Sequence, residues 1–272
     1  MIPVLIIIVC LLLLLFVALL FCVKGRCNHS GLSAFQGYAY AHRGLHGDGV
    51  PENSMDAFRL AKEAGYGVEL DVHLLKDGNL AVFHDADLKR MTGMSGRIVD
   101  LTTEQLEQYH LNGTEQPIPQ FKDVLNLFNG EVPLIVELKE VGNCAALCKA
   151  VCTMLDGYKG VYCLESFDPR CVRWLYKNRP DLIRGQLTEN YFKSNNSKIP
   201  GFLKFVLRHQ LLNFLTKPDF VAYRFGDRKT ISNFLCRKIW KMQGVSWTIK
   251  SKEDLKTARN EGWLPIFEGF KA

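Results

Sequence analysis

The sequence predicts an α/β fold: a closed (β/α)8 barrel of the TIM type with a small insertion after its second strand, preceded by one transmembrane helix. Three observations lead there. Short strand-like runs alternate with amphipathic helical stretches, which favours βαβ units and a parallel sheet. Eight such repeats fit into about 235 residues, the number and length that barrel closure requires. Residues 2–23 carry no charged side chain at all. With 47% apolar, 11% aromatic and 23% charged residues, the chain is too apolar for disorder and too charged for a polytopic membrane protein.

The segment from Ile2 to Val23 comes first. Twenty-two residues at about 1.5 Å each span roughly 33 Å, enough to cross a hydrocarbon core. No basic leader precedes it, it is longer than a signal-peptide core, and no small-x-small site follows. Phe21 before Cys22 does not suit a lipoprotein site. An uncleaved single-pass anchor over residues 1–24 is therefore expected, with 25–36 as a linker and 37–272 as the barrel. Lys24 and Arg26 flank the apolar run, so the positive-inside bias places the domain in the cytoplasm. Six of the nine cysteines lie within the domain. Cys144, Cys148 and Cys152 recur every four residues along one helical stripe, the pattern of small buried thiols in a reducing compartment and not of zinc ligands.

The strand runs are, in order, Gly37–His42, Gly67–His73, Leu80–His84, Pro133–Lys139, Gly160–Ser166, Ile183–Leu187, Phe220–Tyr223, Val245–Ile249 and Leu264–Phe267. Leu80–His84 counts as a hairpin partner of the second strand, because Asp77-Gly78 is a tight-turn signal. Helices are expected at Ser54–Ala64, Thr103–His110, Gln120–Phe128, Asn143–Leu155, Pro169–Asn178, Arg228–Met242 and Lys252–Glu261. Asn53 is a candidate cap for the first of these, and Pro169 suits a first helical turn. A doubly wound open sheet would need a glycine-rich phosphate loop after the first strand, and Gly44, Gly47 and Gly49 follow no such spacing. The net charge of +6 comes from 34 basic residues scattered without a long block or nucleic-acid motif, so no nucleic acid is expected; anionic lipid or a phosphate-bearing substrate suits it.

Chemistry in such barrels collects at the carboxyl ends of the strands. There the sequence puts His42-Arg43, Glu69-Leu70-Asp71, His84-Asp85 and Glu137-Leu138-Lys139. Side chains two apart on a strand share a face, so Glu69 and Asp71 point together, as do Glu137 and Lys139. Three carboxylates in one barrel mouth repel each other unless a cation joins them, and oxygen-only ligation favours Mg²⁺ or Ca²⁺. The alternative is that Glu69 and Glu137 form salt bridges with Arg43 and Lys139. His42 and His84 suit proton transfer near neutrality, and Arg43 suits a phosphate. His46, His73, His110 and His209 read as structural or surface residues. The combination points to metal-assisted hydrolysis of a phosphate ester.

The strings Ala41-His42-Arg43-Gly44, Pro51-Glu52-Asn53-Ser54, Glu69-Leu70-Asp71-Val72-His73, Val82-Phe83-His84-Asp85, Glu137-Leu138-Lys139, Ser166-Phe167-Asp168 and Ser246-Trp247-Thr248 resemble those of the glycerophosphodiester phosphodiesterase family. The resemblance runs in order over about residues 38–268. It implies a barrel with an insertion, matched here by Leu80–Pro119, and hydrolysis of glycerophosphodiesters to an alcohol and glycerol 3-phosphate with one divalent cation. It further implies that Glu69, Asp71 and Glu137 hold the metal and that His42 and His84 are the acid–base pair. Arg43 and Lys139 bind phosphate, Glu52 supports the site, and Trp247 lines the mouth against glycerol. Two stretches depart from the family pattern, Ile118-Pro119-Gln120-Phe121 and Ile266-Phe267-Glu268-Gly269-Phe270; neither contains a proposed ligand.

Three functions are compatible with this pattern: hydrolysis of small glycerophosphodiesters, a lysophospholipase D reaction at the membrane, and non-catalytic binding of a phosphorylated ligand. Intact metal and proton-transfer residues disfavour the last. Residues 199–217, where Phe202, Leu203, Phe205 and Leu211 interleave with Lys204, Arg208 and Lys217, read either as an ordinary barrel helix or as an interfacial helix resting on the bilayer.

Overall fold

The chain forms strands β1 (Tyr40–His42), β2 (Gly67–Leu74), β3 (Leu80–Val82), β4 (Leu134–Leu138), β5 (Tyr162–Ser166), β6 (Arg184–Thr188), β7 (Phe220–Arg224), β8 (Gln243–Ile249) and β9 (Trp263–Phe267). They belong to a computed structural model that describes residues 2–27, 29–194 and 199–272. Eight strands pair in parallel in the cyclic order β1-β2-β4-β5-β6-β7-β8-β9, and β9 returns to β1, so the expected barrel is closed. β3 lies antiparallel against the end of β2, with Val72 opposite Val82. The turn between them contains Gly78 at φ 86°, as the Asp-Gly pair predicts.

The period of two sorts the strand side chains into two layers. Val68, Leu70 and Val72 of β2 and Val136 and Leu138 of β4 point outward into a core shared with the surrounding helices. Tyr40, Ile135, Cys163, Phe220, Val245 and Leu264 point inward and fill the lower barrel, where Phe35 from the preceding segment packs against them. The Tyr40 hydroxyl donates to the Phe35 carbonyl oxygen at 2.8 Å. Carboxylates and imidazoles are left to the upper inward positions.

The helices are α1 (Ile2–Cys22), α2 (Met55–Glu63), α3 (Lys89–Thr92), α4 (Phe121–Phe128), α5 (Cys144–Leu155), α6 (Pro169–Asn178), α7 (Gly201–Arg208), α8 (Asn213–Thr216), α9 (Ile231–Phe234) and α10 (Lys252–Asn260). Most follow the sequence pattern. Thr103–Gln108 is a 3-10 turn and not the expected α-helix; Leu106 is its one buried residue, so no apolar stripe sustains a longer element. The expected helix over Arg228–Met242 starts only at Ile231, where the Thr230 hydroxyl accepts from Asn233 N, and continues from Leu235 to Ile239 as a π-helical turn. Ser54, and not Asn53, caps α2 by accepting from Ala57 N.

Of α1, one end is held by the barrel. Val23 is fully buried among Val221, Leu235, Cys236 and Met242. Arg26 forms an ion pair with the buried carboxylate of Asp219 and donates to the Leu182 carbonyl oxygen at 3.0 Å. A residue read from sequence as a flanking charge thus fastens the segment after α1 to the barrel floor.

Phe58 of α2, fully buried, meets the Phe128 ring edge-on at 5.8 Å and joins two helices to β2. Phe58→Ala is expected to lower unfolding free energy by about 3–5 kcal/mol, read from denaturant midpoints in detergent solution. A loss below about 1 kcal/mol would mean that this contact does not organise the core.

Candidate active site

Strand register assembles the site. His42 lies opposite Glu69, Asp71 opposite Glu137, and Glu137 opposite Glu165, so one acidic row crosses β2, β4 and β5 with Glu69 and His42 beside it. After His42 the backbone turns through two left-handed residues, Arg43 at φ 55° and Gly44 at φ 81°. A Cβ on Gly44 would stand 2.8 Å from the Ala57 backbone, so glycine is required there. This turn aims Arg43 N–H at Glu69 Oε2, 3.2 Å away.

Glu69, Asp71 and Glu137 are buried, and one oxygen from each lies within 4.8 Å of the others. Burial raises the Glu69 carboxyl well above its ordinary value, reinforced by the charges of Asp71 and Glu137. Burial opposes ionisation of Asp71 too, but Lys139, His84 and Arg43 together hold it far below the usual range. Lys139 Nζ stands 3.1 Å from Asp71 and 2.8 Å from Glu137. The alternative of simple salt bridges is therefore met only in part: Glu137 has Lys139, whereas Glu69 receives a backbone N–H and not the Arg43 guanidinium. Arg43 instead pairs with Glu52 at 2.8 Å, and Glu52 also accepts from Arg90 at 2.6 Å.

The two histidines share one arrangement. His42 Nδ1 meets Glu268 Oε2 at 2.6 Å, and Lys250 holds the other Glu268 oxygen at 2.7 Å. His84 Nδ1 meets Asp85 Oδ1 at 2.6 Å, and Arg90 Nε holds the other Asp85 oxygen at 2.5 Å. A carboxylate on Nδ1 fixes the proton there and leaves Nε2 free to exchange a proton elsewhere. His42 Nε2 faces Glu69, 3.9 Å away. Burial lowers the His42 pKa, against the pull of Glu268.

Several members escaped sequence reasoning. Glu268 lies in the stretch that departs from the family pattern; although it is not one of the three expected metal ligands, it is the partner of His42, so that departure does reach the site. Its signal was position, one residue past a strand whose neighbour β1 ends in His42. Asn53, read as a helix cap, sits at φ 53° and donates to Asp71 Oδ2 at 2.8 Å. Glu165 is buried with Oε2 unpartnered, and burial followed by the charges of Glu137 and Asp71 pushes its pKa well up. His46 Nε2 lies 3.9 Å from Glu268, and His73 Nε2 lies 3.3 Å from the His84 carbonyl oxygen, so both stand beside the site and not apart from it. Trp247, half-buried at the end of β8, packs edge-on against Phe167 at 5.5 Å.

A cleft of about 710 Å³ opens here. His84, Glu137 and Lys139 form its polar wall, and Val141, Phe167, Tyr191, Leu203 and Leu207 its apolar one. Four buried carboxyl groups, those of Glu69, Asp71, Glu137 and Glu165, thus face two cations, one of which is shared with Glu52. That excess of hard oxygen donors, with Glu165 Oε2 orphaned, fits a divalent ion held by Glu69, Asp71 and Glu137.

Glu268→Gln is expected to lower kcat by on the order of 10²-fold or more with little change in KM, because the amide no longer fixes the His42 tautomer. Unchanged kcat would show that Glu268 does not orient a working histidine.

A model of the glycerophosphoryl diester phosphodiesterase family matches residues 42–223. The chain is 31% identical over 196 residues to a protein of Bacillus subtilis named putative glycerophosphodiester phosphodiesterase YhdW, covering 65% of this chain and 79% of that one. It is 34% identical over 132 residues to a Rattus norvegicus protein named lysophospholipase D GDPD1, covering 44% of this chain and 41% of that one. Several curated relatives are thus matched over less than half of their length. Among solved structures, the Oleispira antarctica phosphodiesterase described in complex with sn-glycerol-3-phosphate superposes with a TM-score of 0.72 at 22% identity, over 88% of this chain and 95% of that one. At that identity the likeness concerns the fold.

Proposed function

We propose, because the chain belongs to the glycerophosphoryl diester phosphodiesterase family, that it hydrolyses a glycerophosphodiester to an alcohol and glycerol 3-phosphate at the barrel mouth. The observation that carries the proposal is the matched pair of imidazoles, each held at Nδ1 by a carboxylate that is itself held by a cation. One histidine takes a proton from the attacking oxygen as the new P–O bond forms. That oxygen is either water, which gives glycerol 3-phosphate directly, or the neighbouring glycerol hydroxyl, which gives a cyclic phosphate that water then opens. The other gives a proton to the alcohol oxygen as the old P–O bond breaks. Arg43 and Lys139 bind the phosphate oxygens, with Glu52 and Arg90 keeping the Arg43 guanidinium in place. Asn53 orients Asp71, and Trp247 with Phe167 borders the glycerol side. A divalent ion, Mg²⁺ or Ca²⁺, held by Glu69, Asp71 and Glu137 supplies further neutralisation of the phosphoryl charge.

The test is product identity. Glycerophosphocholine incubated with the full chain is expected to give choline and glycerol 3-phosphate in equal amounts. Release of phosphocholine and glycerol instead would contradict the proposed bond cleavage.

The apolar wall of the cleft favours a second reading, in which the substrate is a lysophospholipid. Each buried methylene contributes about 0.8 kcal/mol, so two or three against Leu203 and Leu207 favour an acylated substrate by at least about tenfold in kcat/KM. Lysophosphatidylcholine is then expected to outcompete glycerophosphocholine by that margin in a direct comparison. Equal kcat/KM values would leave the smaller diester as the substrate.

Among the described residues, the one helix long and apolar enough to cross a membrane is α1, with residues 3–22 at mean hydropathy 3.7. We read it as a retained single-pass anchor, because Val23 is buried in the domain and Trp240 Nε1 donates to the Leu20 carbonyl oxygen at 3.0 Å. The flanking Lys24 and Arg26 are the ground for placing the barrel in the cytoplasm. Removal of residues 1–24 would strip these contacts away. All nine cysteines are free thiols, which suits a reducing compartment.

A further inference from the structure

We propose that the barrel lies on its side against an anionic bilayer, docked through a continuous face made by the segment 199–217 and the segment 228–242. This inference rests on the reading of α1 as a membrane span. It adds a second surface to that anchor.

The first support is where apolar side chains remain exposed. Beyond the anchor, twelve large hydrophobic residues are exposed among the described residues, and seven of them lie in these two segments. Phe202 is 81% exposed, Ile231 68% and Phe234 58%, more than any of the five elsewhere. Single exposed apolar residues are ordinary, but a grouped set marks an interaction surface. Ile231, Phe234 and Lys238 are spaced to share one side of their helix, as Phe202 and Phe205 do on α7.

Charge supplies the second. The two segments contain eight Lys and Arg residues and no Asp or Glu. Eight exceeds the net charge of +6 for the whole chain, so the remainder is net negative. Basic residues that look scattered in the sequence are brought together by the fold. Arg228 is taken up by Glu261 and Arg237 by the Trp263 ring, whereas Lys229, Lys238 and Lys241 are exposed. Apolar side chains ringed by unmatched cations suit an interface of acyl chains and anionic headgroups.

The third is continuity with the anchor. Val23 O accepts from Asn213 Nδ2 at 3.2 Å and from Cys236 Sγ at 3.4 Å. The rings of Phe21 and Phe214 stand 5.2 Å apart, and Lys24 Nζ lies 4.4 Å above the Trp240 ring. Gln210 Nε2 donates to Asn233 Oδ1 at 2.8 Å, which ties the two segments to each other. The end of a membrane-spanning helix lies at the bilayer surface by definition, so the residues it touches lie there as well. A water-filled gap would need the anchor to detach from these contacts.

The same face borders the active cleft. Leu203 and Leu207 of α7 line the cleft that His84 and Lys139 close on the other side, while Phe202 and Phe205 of the same helix point outward. A lipid substrate could therefore pass from the bilayer to the site along α7 without crossing bulk water.

The test uses the full chain in vesicles of phosphatidylcholine and phosphatidylglycerol that include a phosphatidylcholine photoactivatable in its acyl chain. Adducts are mapped by mass spectrometry after irradiation. The expected result is labelling of residues 201–208 and 231–239 in addition to 3–22. Replacing phosphatidylglycerol by phosphatidylcholine should reduce labelling of the two segments by about threefold or more. The double variant Phe202→Glu with Phe234→Glu should reduce it by roughly tenfold while glycerophosphocholine hydrolysis is unchanged, since neither side chain borders the cleft. Adducts confined to 3–22 would overturn the docked face and leave the anchor standing. Absence of adducts from 3–22 would overturn the anchor reading, and this inference with it.

Discussion

His84→Ala and His42→Ala should each reduce kcat on glycerophosphocholine by at least 10²-fold and up to about 10⁴-fold, with the fold retained. The expectation follows from the geometry of each ring. Nδ1 of either histidine is occupied by a carboxylate, at 2.6 Å in both cases. Nε2 is then the only atom left for proton transfer. His42 comes from β1, paired with Glu69 of β2, and His84 from just beyond β3, which pairs with the end of β2. Two separate imidazoles let one take up a proton while the other gives one. A paired measurement distinguishes catalysis from folding. Thermal unfolding of each variant should stay close to the parent, since neither ring carries the apolar core. A variant with near-parental turnover would remove that residue from the acid–base role. A variant that also unfolds would shift the question to the milder His84→Gln.

The second large effect concerns the acidic cluster. Glu69→Gln, Asp71→Asn and Glu137→Gln should each lower activity by on the order of 10³-fold, because electrostatic stabilisation of the phosphoryl group in a dry site is worth several kcal/mol. Stability should move the other way for Glu69. Burial and the charges of Asp71 and Glu137 disfavour its ionised form. Chelated protein carrying Glu69→Gln is therefore expected to melt above the chelated parent. Adding Mg²⁺ or Ca²⁺ should then raise the melting temperature of the parent more than that of the variant, since binding to the native state stabilises it by mass action. Equal responses to metal in the two proteins would separate Glu69 from the ion. A variant that melts well below the parent under chelation would show that the cluster is a structural salt-bridge network.

Much of this was legible in the chain. Alternation of period two placed Val68, Leu70 and Val72 outward and Glu69 and Asp71 inward, and the register of β2 against β4 then put Asp71 beside Glu137. Barrel closure followed from the count of βα units, and the hairpin from Asp77-Gly78. What was not legible depended on contacts between distant segments. Glu268 and His42 are 226 residues apart and meet only because β9 closes onto β1. Asn53 looked like a cap since its side chain suits one, but the adjacent Ser54 takes that role and frees Asn53 for Asp71. The break of the expected Arg228–Met242 helix reflects the Thr230 cap and the pairing of Arg228 with Glu261, 33 residues on. The gathering of cations beside the end of α1 belongs to the same class, as two segments separated in sequence are tied together by Gln210 and Asn233.

The most direct single measurement is glycerol 3-phosphate release from glycerophosphocholine by the purified full chain, before and after EDTA and after return of Mg²⁺ or Ca²⁺. Activity that disappears with the chelator and returns with the ion is the result this account predicts. Turnover that persists undiminished in EDTA, or that never appears with either ion, would contradict it.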